Sequence, residues 1–372
     1  MQLSNEDNLR LNVLLRQDLK AVRIDESRMV VHALSERGEA RVPLHPTCRE
    51  EKYLRLVREL LSTHVLGSPG GYPVYIRRWT RMGQARDDAS LARLLLLGEP
   101  EAVVAVVHSP GLTHEIAERA WWAHPTAEIG RQLLTAPAVV EGPLGREVAA
   151  FLLEFLPFEE EPRAIIDSVR LVLQPGLIDE DARQALWARG RRKQTYYIGF
   201  LHSTPDDLPE PPPAHAEHAA LAERLAGPAA DGNPWARQLL RSLSGPGQAF
   251  FRTVRQVLAK LPNQDAAASL MNAIGAYYWN LRPDTGRYRS MADAVARAEA
   301  VLASPPADLA PVLALVPEQR ERLRAMLALS MVDEFTVAPI LGKTDAIGSV
   351  MRKRLLPVTE PLLAEIDRLQ PA

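Results

Sequence analysis

Two stretches of this sequence, SPGLTHEIAERAWWA at residues 109–123 and QPGLIDEDARQALWA at residues 174–188, decide the fold. They share the pattern P-G-L-x-x-E-x-A-x-x-A-x-W-A, in which a Pro-Gly corner precedes a helix that ends on Trp-Ala. A further match lies upstream of each copy, where Glu99-Pro100-Glu101-Ala102 resembles Glu161-Pro162-Arg163-Ala164. Proline suits the first turn of a helix because its missing N–H needs no partner there. Each copy is therefore predicted to be a pair of helices joined at the corner.

The copies indicate a repeat architecture between residues 98 and 190. A weaker copy begins at Pro125, so about three helix pairs of roughly 25 to 37 residues fit in this region, a length typical of HEAT-like repeats. The alternative is chance similarity between alanine-rich helices. We predict a mainly α-helical protein with HEAT-like paired-helix repeats in an α-solenoid.

Regions on both sides of the repeats predict the remaining organisation. Near the start, a short helix is followed by residues 22–44 with alternating polar and apolar positions, which is typical of a small β-meander. The proline-rich acidic segment at residues 204–214 is predicted to be a linker. The predicted domains are an α+β element at 1–87, the repeat block at 88–203, the linker at 204–214 and a helical domain at 215–372.

Composition is that of a soluble globular protein. The 372 residues are 47% hydrophobic and 24% charged. The formal net charge is -2, so the chain as a whole lacks the excess of positive charge that is typical of nucleic-acid-binding proteins. The apolar runs are shorter than the roughly 18 residues of a membrane-spanning helix. The acidic start lacks the features of a secretory signal, and a single cysteine excludes an intrachain disulfide. We expect a cytoplasmic protein that does not insert into membranes.

Motifs of catalysis and metal binding are missing from the sequence. Gly67-Ser68-Pro69-Gly70-Gly71 follows a predicted helix and lacks the Gly-Lys-Ser/Thr ending of a phosphate-binding loop, so it reads as a turn. The histidines His108, His114 and His124 do not share one helical face. We therefore expect no cofactor and no metal.

Cys48 is the one residue for which the sequence suggests a specific chemical role. Thr47 and Glu50 have capping-box spacing, which would make Cys48 the first residue of a helix, with Lys52 one turn away. A helix N-terminus and nearby cations favour the thiolate, so Cys48 is a candidate reactive thiol, for example a persulfide acceptor. Neighbouring glutamates oppose this effect, and an inert free cysteine is the alternative.

Two basic clusters lie beside aromatic residues. The first surrounds Trp79 and the second precedes Tyr196-Tyr197; they consist of Arg77, Arg78 and Arg81, and of Arg189, Arg191, Arg192 and Lys193. Such clusters bind an anion, an acidic protein surface or single-stranded nucleic acid, or they are solvated helix ends whose cations complement the helix dipole. We interpret them as a patch for an acidic protein partner and disfavour nucleic acid.

Several strings resemble one family. They are LRLNVLL at 9–15, HVLGSPGGYPVY at 64–75, RWTRMGQ at 78–84, LLLLGEPEAVVAVVH at 94–108 and FLPFEE at 155–160. Together they are similar to the sulfur-oxidation accessory protein DsrS, encoded with the reverse-type dissimilatory sulfite reductase of sulfur-oxidising bacteria. The resemblance implies a cytoplasmic setting with persulfide-based sulfur carriers, and it implies no functional residues.

The expected function is therefore that of a non-catalytic accessory or scaffold protein of cytoplasmic sulfur oxidation that binds other proteins. Two alternatives stay open. One is a persulfide carrier or enzyme that uses Cys48, and the other is a regulatory nucleic-acid-binding protein. The oligomeric state is left open.

Overall fold

A computed structural model describes residues 2–72 and 88–370 of the chain. The sequence also predicts a strand at Val74–Trp79. That segment and the first basic cluster, Arg77, Arg78 and Arg81, lie outside these ranges. In the described residues the chain forms 21 α-helices and one three-stranded sheet near the N-terminus. This confirms the prediction of a mainly helical protein with a small N-terminal α+β element.

The chain forms two compact units, Met1–Phe155 and Leu156–Ala372. The predicted repeat block, 88–203, is therefore divided between them.

The first unit begins with the sheet and its two flanking helices, α1 (Asn5–Leu15) and α2 (Glu50–Leu66). The antiparallel strands β1 (Leu19–Asp25), β2 (Val30–Ser35) and β3 (Gly38–Pro43) form the predicted meander in the order β1-β2-β3. Buried side chains of the strands pack with the apolar faces of both helices in one core. The alternating pattern thus puts one face of the sheet inside.

Six more helices complete the first unit. They are α3 (Asp88–Leu94), α4 (Pro100–Val107), α5 (His114–Ala123), α6 (Ala127–Leu133), α7 (Pro137–Val140) and α8 (Pro143–Phe155). Helix α5 contacts β1, and α6 packs on α8.

The second unit contains the remaining helices. They are α9 (Pro162–Val172), α10 (Glu180–Gly190), α11 (Thr195–Ser203), α12 (His218–Arg224), α13 (Ala226–Ala230), α14 (Pro234–Leu243), α15 (Gly245–Ala259), α16 (Gln264–Tyr277), α17 (Met291–Ala303), α18 (Ala310–Leu315), α19 (Arg320–Ser330), α20 (Glu334–Leu341) and α21 (Gly348–Asp367). The sequence also predicts one helix over 317–337, but the structure has two there, because α19 ends at the C-cap Met331 and Asp333 caps α20. Helix α21 runs through Pro357 and Pro361, where the sequence predicts an interruption or kink.

The two sequence copies have the same local geometry. Pro100 and Pro162 lie in the first turn of their helices. Gly111 and Gly176 turn the corners in the left-handed region, with φ of 77° and 81°, which glycine adopts without steric cost. A side-chain cap then begins the second helix of each copy. The predicted helix–corner–helix pattern is therefore confirmed for each copy by itself.

The proline-rich segment 204–214 is fastened to the second unit along its length. Arg241 binds both carboxylate oxygens of Asp206 at 2.6 and 2.7 Å, and Leu208 is buried. Just beyond the segment, the His215 amide donates to the Leu243 carbonyl at 2.8 Å. The prediction of a linker that separates two helical regions is wrong, because these contacts hold the segment against helices of one compact unit.

Candidate functional site

An apolar groove lies between α15 and α21 in the second unit and has a volume of about 470 Å³. Leu261 and Leu355 are fully buried beneath it, whereas Leu356 is 44% exposed. Its lining residues are Arg255, Leu258, Ala259, Leu261, Ser349, Arg352, Lys353, Leu355, Leu356, Thr359 and Leu363. We call this feature the cationic groove. Apolar side chains make up about half of this lining and are contiguous, and a contiguous apolar patch indicates a surface that a ligand can cover.

Three cations form the rim of the cationic groove. Arg255 forms an ion pair with Asp367, and Arg352 donates to the Leu261 carbonyl at 2.9 Å. Lys353 is exposed and forms no hydrogen bond or ion pair with the residues that the structure describes. Burial lowers the pKa of the Arg255 guanidinium, which nevertheless stays charged at neutral pH. The rim therefore carries positive charge that its own neighbours compensate only in part.

The second predicted basic cluster lies at the end of α10 and just beyond it. Arg189, Arg191, Arg192 and Lys193 are all exposed. In contrast, Tyr196 and Tyr197 are 4% and 3% exposed, so they are core residues and not a stacking surface. The cluster thus lacks the adjacent exposed aromatics that would favour single-stranded nucleic acid.

Glu210 connects this basic cluster with the helix that walls the cationic groove. Its carboxylate lies 3.7 Å from Arg191, and its carbonyl accepts a hydrogen bond from Arg252. Arg252 and Arg255 are three residues apart on α15, which puts them on neighbouring positions of one helix face. The cations of the cluster and of the groove rim therefore belong to one region of the second unit.

Cys48 does not occupy the predicted helix position. Arg49 is the N-cap of α2 and makes no side-chain capping bond, so the capping box predicted for Thr47 and Glu50 is wrong. The thiol is partly buried against the N-terminal core, and its nearest polar partner is the Arg49 carbonyl, 3.7 Å from Sγ. Cys48 therefore precedes the helix instead of beginning it. The reactivity of Cys48 stays a prediction.

His202 and Ser269 resemble a base–nucleophile pair by distance alone. His202 Nε2 lies 3.0 Å from Ser269 Oγ, but it also lies 2.9 Å from the Ser269 carbonyl oxygen. A carbonyl oxygen can only accept, so this contact requires a proton on Nε2. Nε2 then has no lone pair with which to activate the hydroxyl. The pair joins two helices and does not assemble a nucleophile.

Residues 2–72 and 88–370 contain no group of three or more His, Cys, Asp or Glu side chains placed to hold a metal ion. No described helix is both long enough and apolar enough to cross a bilayer.

Comparison with other proteins gives no relative. Neither protein-family models, nor curated proteins, nor solved structures matched this sequence.

Sequence reasoning missed the cationic groove. Its walls come from segments far apart in the chain, and the leucines of α21 follow the same periodic pattern as core leucines elsewhere. One signal was present: Arg352, Lys353 and Arg354 are consecutive cations in a helix that also carries two prolines. Such a run marks an exposed helix face, but it does not show which helix lies opposite.

Proposed function

We propose that this chain is a non-catalytic accessory protein that binds another protein by taking an acidic amphipathic helix into the cationic groove. The proposal rests on the apolar lining of the cationic groove and on the three cations at its rim, Arg255, Arg352 and Lys353.

The dimensions of the groove fit a helical ligand. Its lining on α21 extends from Ser349 to Leu363, which is about 21 Å at 1.5 Å per residue. A ligand helix of about 14 residues has that length and presents apolar residues at i, i+3, i+4 and i+7 along one face. Leu258, Leu356 and Leu363 supply the complementary apolar surface.

The charge of the rim favours an acidic ligand. An amphipathic helix that places its apolar face in the groove puts its flanking residues beside the three cations. Glutamates at these flanking positions gain hydrogen bonds from arginine and lysine, which are stronger when both groups are charged. Long-range attraction by the same cations and by the cluster at 189–193 raises the association rate.

The architectural and biological setting extends the proposal. We propose that the two helix–corner–helix copies are HEAT-like repeats, a proposal supported by the shared left-handed glycine and the shared cap. The resemblance to DsrS supports a partner among the proteins of cytoplasmic sulfur oxidation, with the dissimilatory sulfite reductase system as the first candidate.

A labelled peptide tests the groove directly. The probe is a helical 14-residue peptide with leucines at i, i+3, i+4 and i+7 and glutamates on both flanks, titrated with the full chain in a fluorescence anisotropy assay. We expect saturable binding that weakens with added salt, because the rim cations attract the glutamates. The double substitution Leu356→Glu and Lys353→Glu should weaken binding of the peptide at least about tenfold. It places a negative charge inside the cationic groove and reverses the charge of one rim residue.

A matched control separates groove binding from general surface effects. Leu315→Glu changes a leucine that is also 44% exposed but lies outside the groove, and it should leave the affinity unchanged. A peptide that carries lysine in place of glutamate should bind weakly or not at all. Equal affinities for both peptides, or equal loss in the control variant, would refute the proposal.

The sulfur-oxidation setting needs a separate test. The full chain and the double groove variant are used as bait in lysate of a sulfur-oxidising bacterium. Enrichment of sulfite reductase subunits by the wild type and their loss with the variant support this partner. Peptide binding without any such enrichment refutes the sulfur-oxidation setting and leaves the groove function intact.

A further inference from the structure

A second cleft, of about 730 Å³, opens within the first unit between α5 and α8. Its lining includes Trp122, Phe151, the cation Arg23 and the carboxylates of Glu118, Glu147 and Glu154. The side chains combine an aromatic wall with carboxylates, which is the opposite charge character to the cationic groove.

The aromatic wall of the cleft consists of Trp121, Trp122 and Phe151. Trp121 is buried and meets Phe151 edge to face, with ring centroids 5.0 Å apart. Phe151 in turn stacks on Phe155 at 6.3 Å, and Phe155 is 40% exposed. The sequence predicts that both tryptophans pack in the core. Trp121 does so, whereas Trp122 is half-buried and lines the cleft.

The internal sequence repeat shows that the surroundings of Trp122 differ from those of its counterpart. Trp187 occupies the matching position of the second copy and is only 8% exposed, with the rings of Tyr197 and Phe200 at 4.4 and 5.1 Å. Trp122 instead lies under the guanidinium of Arg23, whose carbon is 4.7 Å from the ring centroid. The same motif thus packs an indole into the core in one unit and presents it to a cation and a cleft in the other.

Three carboxylates complete the cleft. Glu147 accepts a hydrogen bond from the Trp121 indole N–H at 2.9 Å, which fixes its carboxylate on the cleft wall. Glu118 contacts His114 at 3.1 Å. Glu154 has no polar partner among the described residues. Arg23 is the one cation of the lining, so the cleft carries excess negative charge.

We infer that this cleft binds an organic cation, an alkyl guanidinium or ammonium group. An aromatic face attracts such a cation through its quadrupole, and carboxylates accept its N–H groups in charge-assisted hydrogen bonds. An arginine or lysine side chain of a peptide and a free polyamine share this chemistry. The inference rests on a different surface from the cationic groove and stands independently of it.

Calorimetric titration of the full chain tests the inference with three probes. They are spermidine, a glycine-rich heptapeptide with one central arginine, and the same peptide with neutral citrulline in place of arginine. Binding of the arginine peptide indicates a peptide side chain as the ligand, and binding of spermidine alone indicates a free polyamine. Citrulline should abolish the peptide's binding, because it keeps the shape and removes the charge.

Two matched variants locate the binding site. Glu154→Gln should weaken binding about fivefold, the effect of one carboxylate about 4 Å from a cation in a watery environment. Glu141→Gln removes the same charge from an exposed residue of the same unit outside the cleft, and it should change nothing. The inference is overturned if neither cation binds, if citrulline binds as well as arginine, or if Glu141→Gln matches Glu154→Gln.

Discussion

Arg324→Met removes a guanidinium that faces three carboxylates in the second unit. Arg324 lies 3.3 Å from Glu299, 3.4 Å from Glu321 and 3.2 Å from Glu365. The side chains of Arg324 and Glu365 are 8% and 7% exposed, whereas those of Glu299 and Glu321 are 51% and 59% exposed. When the guanidinium is lost, the two exposed carboxylates are hydrated by solvent, and only Glu365 is left as a buried charge.

The expected loss of unfolding free energy follows from the fact that only one of the three carboxylates is buried. Breaking a buried ion pair by removing one partner costs about 3–5 kcal/mol of unfolding free energy. Arg368 stays 3.4 Å from Glu365 and offsets part of the loss. We therefore expect the lower end of the range, about 3 kcal/mol, at neutral pH. Glu365→Gln should cost about 1 kcal/mol, because Arg324 keeps two other carboxylates and the amide can still accept its hydrogen bond.

The pH dependence of the unfolding free energy provides a second test of Arg324→Met. Burial raises the pKa of the Glu365 carboxyl despite the nearby arginines. Without Arg324 this pKa rises further, so the folded state binds a proton more readily than the unfolded state. Stability then increases as the pH falls through the folded-state pKa toward the ordinary value. The cost of Arg324→Met should accordingly shrink between pH 7 and pH 5.

Hydrogen exchange measured by mass spectrometry on peptides from α19 and α21 reports the opening free energy of this part of the second unit by itself. Arg289→Met removes an exposed arginine without a described partner and should stay within about 0.5 kcal/mol of wild type. A loss under about 1 kcal/mol for Arg324→Met, or an equal loss for Glu365→Gln, would refute this reasoning.

Two further perturbations probe packing and charge in the second unit. Gly199→Ala would place a methyl group 2.6 Å from Val169 Cγ1 and 3.1 Å from the Ile166 carbonyl oxygen. It should cost about 2 kcal/mol in opening free energy in the same hydrogen-exchange measurement. The Arg322 guanidinium lowers the pKa of Glu217 to about 2. The stability that this pair contributes is fully present above the ordinary value near 4.5 and is lost as the pH falls toward 2. Because the Glu217 side chain is 48% exposed, Glu217→Gln should cost about 1 kcal/mol or less near neutral pH and nothing near pH 2, as followed by urea denaturation. A cost that does not change with pH would contradict the ion-pair account.

The two proposed sites suggest a protein that recognises charge of both signs on separate surfaces. The cationic groove lies in the second unit and the aromatic, carboxylate-lined cleft lies in the first. Each is lined by residues of two helices, combines apolar side chains with ionic groups, and has ionic groups of mainly one sign. This arrangement suits a binding role, in which affinity comes from apolar contact and discrimination comes from charge.

Local structure could be predicted from the sequence wherever neighbouring residues decide it. The sheet followed from alternation in 22–44, and the corners at Gly111 and Gly176 followed from the Pro-Gly pairs of the two copies. The errors arose where distant contacts override a local signal. Residues 204–214 look like a linker, yet Asp206 and Leu208 fasten them to helices.

The sequence by itself determined the helices, their corners and the meander, because caps, glycines, prolines and periodicity act over a few residues. Only the tertiary structure decided which apolar faces stay uncovered. Trp122 and Trp187 occupy the same position of the same motif, and packing buries one while the other lines a cleft. Likewise, Arg255 and Lys353 border one groove only because α15 and α21 lie side by side. Burial depends on contacts between residues remote in the chain, and a local pattern carries no information about them.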